Sequence, residues 1–99
     1  DEMWHGIHKG GTAAASTTTT GVELGVDAVA GDWQVLRLEV DVNGTARWYI
    51  DGVLKQTVVA ACSTTTNFAV CLAAGANTTQ LAIFDADYLL VTANRDWTI

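Results

Sequence analysis

The chain has 99 residues, which suits one small domain or part of a larger one. Its formal charge is −6, and its five basic residues (Lys9, Arg37, Arg47, Lys55 and Arg95) are scattered, so binding to nucleic acid by phosphate neutralisation is not expected. No run of about 18 apolar residues reads as a membrane helix, and no secretory or lipidation motif appears, so a membrane is not expected as a partner either.

Hydrophobic residues make up 49% of the chain and charged residues only 16%. Threonine fills much of the remaining polar surface, in runs at Thr17 to Thr20, Thr64 to Thr66 and Thr78-Thr79. It is β-branched and suits strands and their edges. Proline is absent. Short alternating runs recur where a long helical stripe is missing, which predicts an all-β chain. The opening Asp1-Glu2-Met3-Trp4 does not read as a translation start, so the chain is expected to belong to something longer.

The first predicted strand is Met3 to Lys9, ended by Gly10-Gly11. Thr12 to Thr20 is low-complexity Ala/Ser/Thr and reads as a surface loop, because nothing large is there to bury. Gly21 to Val26 is the second strand, with Val22, Leu24 and Val26 on one face. Asp27 to Asp32 turns the chain. Trp33 to Val42 is the clearest strand: Leu36, Leu38 and Val40 point one way, and Arg37, Glu39 and Asp41 the other. Asn43-Gly44 signals a hairpin, and Thr45 to Ile50 returns with Ala46, Trp48 and Ile50 on one face.

The register of this hairpin follows from the pattern. A two-residue Asn-Gly loop sets Val40 opposite Arg47 and mixes the faces. A three-residue loop with Gly44 left-handed in a bulge pairs Val40 with Ala46, Leu38 with Trp48 and Leu36 with Ile50. A one-residue slip inverts every side chain, so the bulged loop is predicted, with Glu39 close to Arg47 on the wet face. Asp51-Gly52 turns into a strand at Val53 to Ala60. A polar connection covers Cys62 to Asn67, a compact apolar strand Phe68 to Ala73, and a turn Gly75 to Thr79. Gln80 to Ala93 holds a long apolar stretch whose Tyr88 to Thr92 is predicted to be a strand. About seven strands and no interdomain linker predict a single domain over 1–99.

The hairpin from Trp33 to Asp41, through Asn43-Gly44, to Arg47-Trp48-Tyr49-Ile50-Asp51-Gly52 resembles one in concanavalin A-like lectin/glucanase domains, laminin G-like domains among them. Asp87 to Arg95 resembles the closing strand of that superfamily, in versions associated with tailed-phage virion proteins. The resemblance covers about Gly21 to Arg95. It implies an antiparallel jelly-roll β-sandwich. A complete one needs roughly 200 residues, so the chain is expected to be its C-terminal half, completed by another segment or subunit. The function it implies is that of a non-enzymatic structural or adhesion protein of a phage virion, a capsid decoration protein or a tail-appendage domain. Other virion subunits would be its partners, as a homo-oligomer or bound to a capsid. The alternative is a carbohydrate-binding, lectin-like module in an extracellular setting.

Glu39 and Asp41 share a strand face, as paired glycosidase carboxylates would. Their surroundings resemble the later structural hairpin of the superfamily's glucanases and not the catalytic strand, so they read as solvated acids. His5 and His8 fall on opposite faces of a strand and have no third ligand nearby, so no metal site is expected. Asp27, Asp32, Asp85 and Asp87 read as turn-forming and capping residues, not calcium ligands. Ser16 and Ser63 lack a nucleophile-elbow context. No cofactor is expected. Cys62 and Cys71 are too few for a disulfide framework; one bridge and two free thiols both fit. Trp33 and Trp48 are expected to anchor the core or a sheet face. Trp4 and Trp97, near the termini, together with Tyr49, are the candidate contacts to a partner subunit or a glycan.

Overall fold

A computed structural model of the chain describes residues 3–16, 21–65 and 86–92. The described residues are all-β, with five strands: β1 (Met3–Gly6), β2 (Val22–Asp27), β3 (Leu36–Val40), β4 (Ala46–Ile50) and β5 (Val53–Val58). β1 and β2 form one antiparallel sheet, and β3-β4-β5 form a second. Contacts divide the chain into two units, 1–66 and 67–99. All five strands lie in the first.

The β3–β4 hairpin adopts the predicted bulged register. Leu36 pairs with Ile50, Leu38 with Trp48 and Val40 with Ala46. The Gly44 amide donates to the Asp41 carbonyl at 2.9 Å, and the Asp41 amide donates to the Thr45 carbonyl at 2.9 Å. Gly44 sits at φ 85°, a conformation that glycine adopts without steric cost. Asn43 Oδ1 accepts from the Thr45 amide at 3.1 Å and steadies the turn. The β4–β5 connection is tighter: Asp51 at φ 50° and Gly52 at φ 82° link Ile50 directly to its partner Val53. Two successive positive φ values match the twist of the flanking strands. A bulge between Trp48 and Tyr49 leaves Lys55 unpaired on β5.

β4 is the buried strand. Ala46 and Ile50 are fully enclosed, and Leu24 and Ala61 complete the apolar core of the described residues. The cover over β4 comes from β1, whose Gly6 lies against the Trp48 ring. A Cβ on Gly6 would stand 2.5 Å from Trp48 Cε2. β2 reaches across to β5. Residues 7–16 are stitched down by backbone bonds. Gly11 donates to the Ala61 carbonyl at 3.3 Å, and Ala13 donates to the Ala60 carbonyl at 2.9 Å. His8 and Ser16 close the loop, with the Ser16 amide donating to the His8 carbonyl at 3.0 Å and the His8 amide donating to Ser16 Oγ at 2.6 Å. The Cys62 amide donates to the Gly44 carbonyl at 3.0 Å and ties the end of β5 to the hairpin.

The first strand stops at Gly6, not Lys9, because the chain leaves the sheet to reach Ala60 and Ala61. The third strand begins at Leu36, not Trp33. Val35 already bonds Asp51, its amide donating to Asp51 Oδ1 at 2.9 Å and its carbonyl accepting from the Asp51 amide at 2.8 Å. One of those partners is a side chain, so the ladder ends there. Trp33 is therefore no anchor: it lies in the connecting loop, 70% exposed. Tyr88 to Thr92 is irregular and exposed. A strand needs a neighbour to take its backbone hydrogen bonds, and no described residue pairs with this run. The predicted strand Phe68 to Ala73, the turn Gly75 to Thr79 and the start of the Gln80 to Ala93 stretch lie outside the described residues.

Candidate functional site

Strict alternation gives β3 two unlike faces. On one, Arg37 and Glu39 stand beside Arg47 and Tyr49 of β4. Glu39 and Arg47 are register partners, as expected, but their ion pairs run elsewhere. Arg37 Nη2 lies 3.1 Å from Glu39 Oε2, and Arg47 Nη1 donates to Asp41 Oδ2 at 2.6 Å. The Tyr49 hydroxyl bonds the Glu39 carboxylate, and the Arg37 guanidinium lies over the Tyr49 ring at 4.9 Å.

These contacts set the charge states. The bond from Tyr49 is the main reason that the Glu39 carboxyl lies below its ordinary value; loss of solvation opposes it, and Arg37 and then Arg47 add to the lowering. The same bond raises the Tyr49 phenol, and burial adds to the rise. Asp41 raises the Arg47 guanidinium through its hydrogen bond and its charge. All three groups are solvated, so the ladder sets orientation more than stability.

The other face of β3 is apolar and bare. Leu36, Leu38 and Val40 are 48%, 60% and 42% exposed, yet each pairs across to a β4 residue in the covered stripe. The cover over β4 stops short of its neighbour. A cleft of about 150 Å³ opens where it stops, lined by Trp4, Leu24, Leu36, Leu38, Trp48 and Tyr49 among others. This is below the roughly 300–1,000 Å³ of small-molecule pockets.

Trp4 and Tyr49 both line this cleft, while Trp97 lies outside the described residues. The two are held differently. Trp4 Nε1 donates to Gln34 Oε1 at 2.9 Å, and Gln34 Nε2 donates to the Asp27 carbonyl at 3.2 Å. Tyr49 has one ring face under Arg37, which leaves less of it for a sugar to stack on.

Glu39 and Asp41 are bound into the ladder with their arginines. His5 Nδ1 lies 2.8 Å from the Met3 carbonyl. His8 is buried, 9% exposed, with its ring centroid 6.3 Å from that of Trp48 and no hydrogen-bond partner on Nδ1. Sequence alternation gave no hint of this burial, because His8 lies beyond the end of β1. Among the described residues no three His, Cys, Asp or Glu side chains converge. Cys62 is a free, half-buried thiol. It lines a second hollow of about 310 Å³ with Gly10, Asn43, Ser63 and Thr64. Cys71 lies outside the described residues. Among the described residues no helix is long and apolar enough to cross a membrane.

No known protein family, curated protein or solved structure matches the chain.

Proposed function

We propose that the chain is part of a concanavalin A-like jelly-roll β-sandwich and acts as a non-enzymatic structural or adhesion module of a phage virion, through contacts between subunits. The observation that carries the assembly part of this reading is the bare stripe Leu36, Leu38 and Val40, continuous with the buried stripe of β4. Large apolar side chains aligned on one sheet face gain by being covered, at about 25 cal/mol per Å² removed from water. The exposed run Tyr88-Leu89-Leu90-Val91 adds a second apolar segment. The jelly-roll reading rests on the likeness of the β3–β4 hairpin to the superfamily, and the virion setting on the likeness of Asp87 to Arg95 to its phage versions. Many copies each held weakly would add through multivalency.

The test is the association state of the purified 99-residue chain by sedimentation velocity across about two decades of concentration, beside a glycan array. Concentration-dependent assembly without glycan binding supports this reading. A strict monomer that binds a defined glycan overturns it in favour of a lectin-like module.

A further inference from the structure

We infer that the open edge of β3 pairs with β3 of a second copy, antiparallel and centred on Leu38, to make one continuous six-stranded sheet across a two-fold axis. This rests on the reading of the chain as an assembling module and names its partner and its interface.

Among the described residues β3 ends its sheet, with β4 on one side only. Asp41 and Val35 make their backbone bonds inward, to Thr45 and Asp51. Bonding alternates along an antiparallel strand, so Arg37 and Glu39 also bond inward. Leu36, Leu38 and Val40 turn their N–H and C=O groups outward, and no described residue takes those bonds. An edge of this kind is a template for another strand.

The side chains fit the same pairing. Antiparallel pairing about Leu38 sets Leu38 against Leu38 of the second copy, and Leu36 against its Val40. All of these are hydrogen-bonded pairs, so every outward donor and acceptor is used. The bare apolar stripe then runs unbroken from one copy to the next. Arg37 falls opposite Glu39 of the second copy, and Glu39 opposite its Arg37. These are non-hydrogen-bonded pairs, where side chains come closest. Each arginine exchanges the carboxylate two residues along its own strand for the one across the axis.

Neighbouring registers fail on charge. Centring on Arg37 or on Glu39 sets like charges face to face, and centring on Val40 sets Glu39 against Asp41. The Leu38 register alone among these matches every pair. A surface complementary to itself is what a two-fold interface requires.

The experiment uses the 99-residue chain and two charge variants, R37E and E39R, at about 0.15 M salt, where the repulsion between net-negative copies is screened. Each single variant turns both cross-axis pairs into like charges. Dimerisation should weaken by about tenfold or more in either one. An equimolar mixture of the two should restore it as a heterodimer, since one chain then carries two carboxylates and the other two guanidinium groups. The double variant R37E/E39R should dimerise with itself. Hydrogen exchange on the unaltered chain gives a reading independent of variant folding. Amides of Leu36, Leu38 and Val40 should become protected as concentration rises through the dissociation constant.

Association that ignores both charge reversals, or exchange at these amides that ignores concentration, overturns the β3 interface and leaves the assembly reading standing. A chain that stays monomeric at every concentration overturns both.

Discussion

Adding one methyl group to Gly6 is the sharpest probe of how β1 covers β4. In an ordinary strand, replacing glycine by alanine helps, by about 0.4–1 kcal/mol, because the unfolded chain has less freedom to lose. Here the new Cβ would stand 2.5 Å from Trp48 Cε2 and 2.8 Å from Cδ2 and Cζ2. Carbon atoms rest at about 3.5–4.0 Å, so the ring or the strand must retreat by about 1 Å. The indole is a rigid plane on the central strand and has His8 beside it, so it has little room to yield. Overpacking of this kind costs about 1–3 kcal/mol. The expected net effect of Gly6→Ala is a loss of about 1–2 kcal/mol. The measurement is urea unfolding followed by tryptophan fluorescence and far-ultraviolet circular dichroism, read as a change of midpoint at constant slope. A double-mutant cycle sharpens it. With Trp48→Ala already in place, the added methyl meets no ring, and Gly6→Ala should become neutral or stabilising, a coupling of about 1–3 kcal/mol. A Gly6→Ala chain as stable as its parent would refute the packing argument. So would an equal cost in the presence and absence of the Trp48 ring.

Gly44→Ala should cost about 1–3 kcal/mol in the same assay, since it forces a side chain into positive φ and against the Cys62 carbonyl. Asp51→Ala should cost about 1–2 kcal/mol, because it removes the acceptor for the Val35 amide and disfavours the turn; Asp51→Asn keeps both features and should stay within about 0.5 kcal/mol of the parent. Ile50→Ala, at 2% exposure, should cost about 2–5 kcal/mol and broaden the thermal transition. The Glu39 carboxyl is held below its ordinary value of 4.5 in the folded chain. Its contribution is therefore present above that value and fades as pH falls through the lower, folded one. Tyr49→Phe removes the main cause of the shift, so the acid limb of its stability profile should be flatter than that of the parent; an unchanged limb counts against the Tyr49–Glu39 bond.

The β3–β4 register was legible because it is a local matter. Asn43-Gly44 fixes the turn, and the alternation of Leu36, Leu38 and Val40 with Arg37 and Glu39 allows one agreement of faces. The polar ladder was legible for the same reason, although the choice of Asp41 over Glu39 by Arg47 depends on reach around the bulge, which alternation does not encode. Trp33 was misread because an aromatic residue at the head of an alternating run looks like part of the strand, and only the side chain of Asp51 shows where the ladder ends. The length of β1 depended on Ala60 and Ala61, far along the chain. Tyr88 to Thr92 has strand composition, but composition supplies no neighbouring strand. Which face of β3 is covered is likewise a property of other segments, so the bare stripe could be read as apolar but not as exposed.

The stitching of residues 7–16 to Ala60 and Ala61 bears on the order in which the chain assembles. The β3-β4-β5 meander closes through short turns and can form early at small entropic cost. β1 precedes the meander in the chain, yet its cover position needs Trp48 in place, and the loop behind it needs the carbonyls that follow β5. The β1 segment must therefore wait, uncovered on one side, until Ala60 and Ala61 have followed it, and the meander serves as the mould on which it sets.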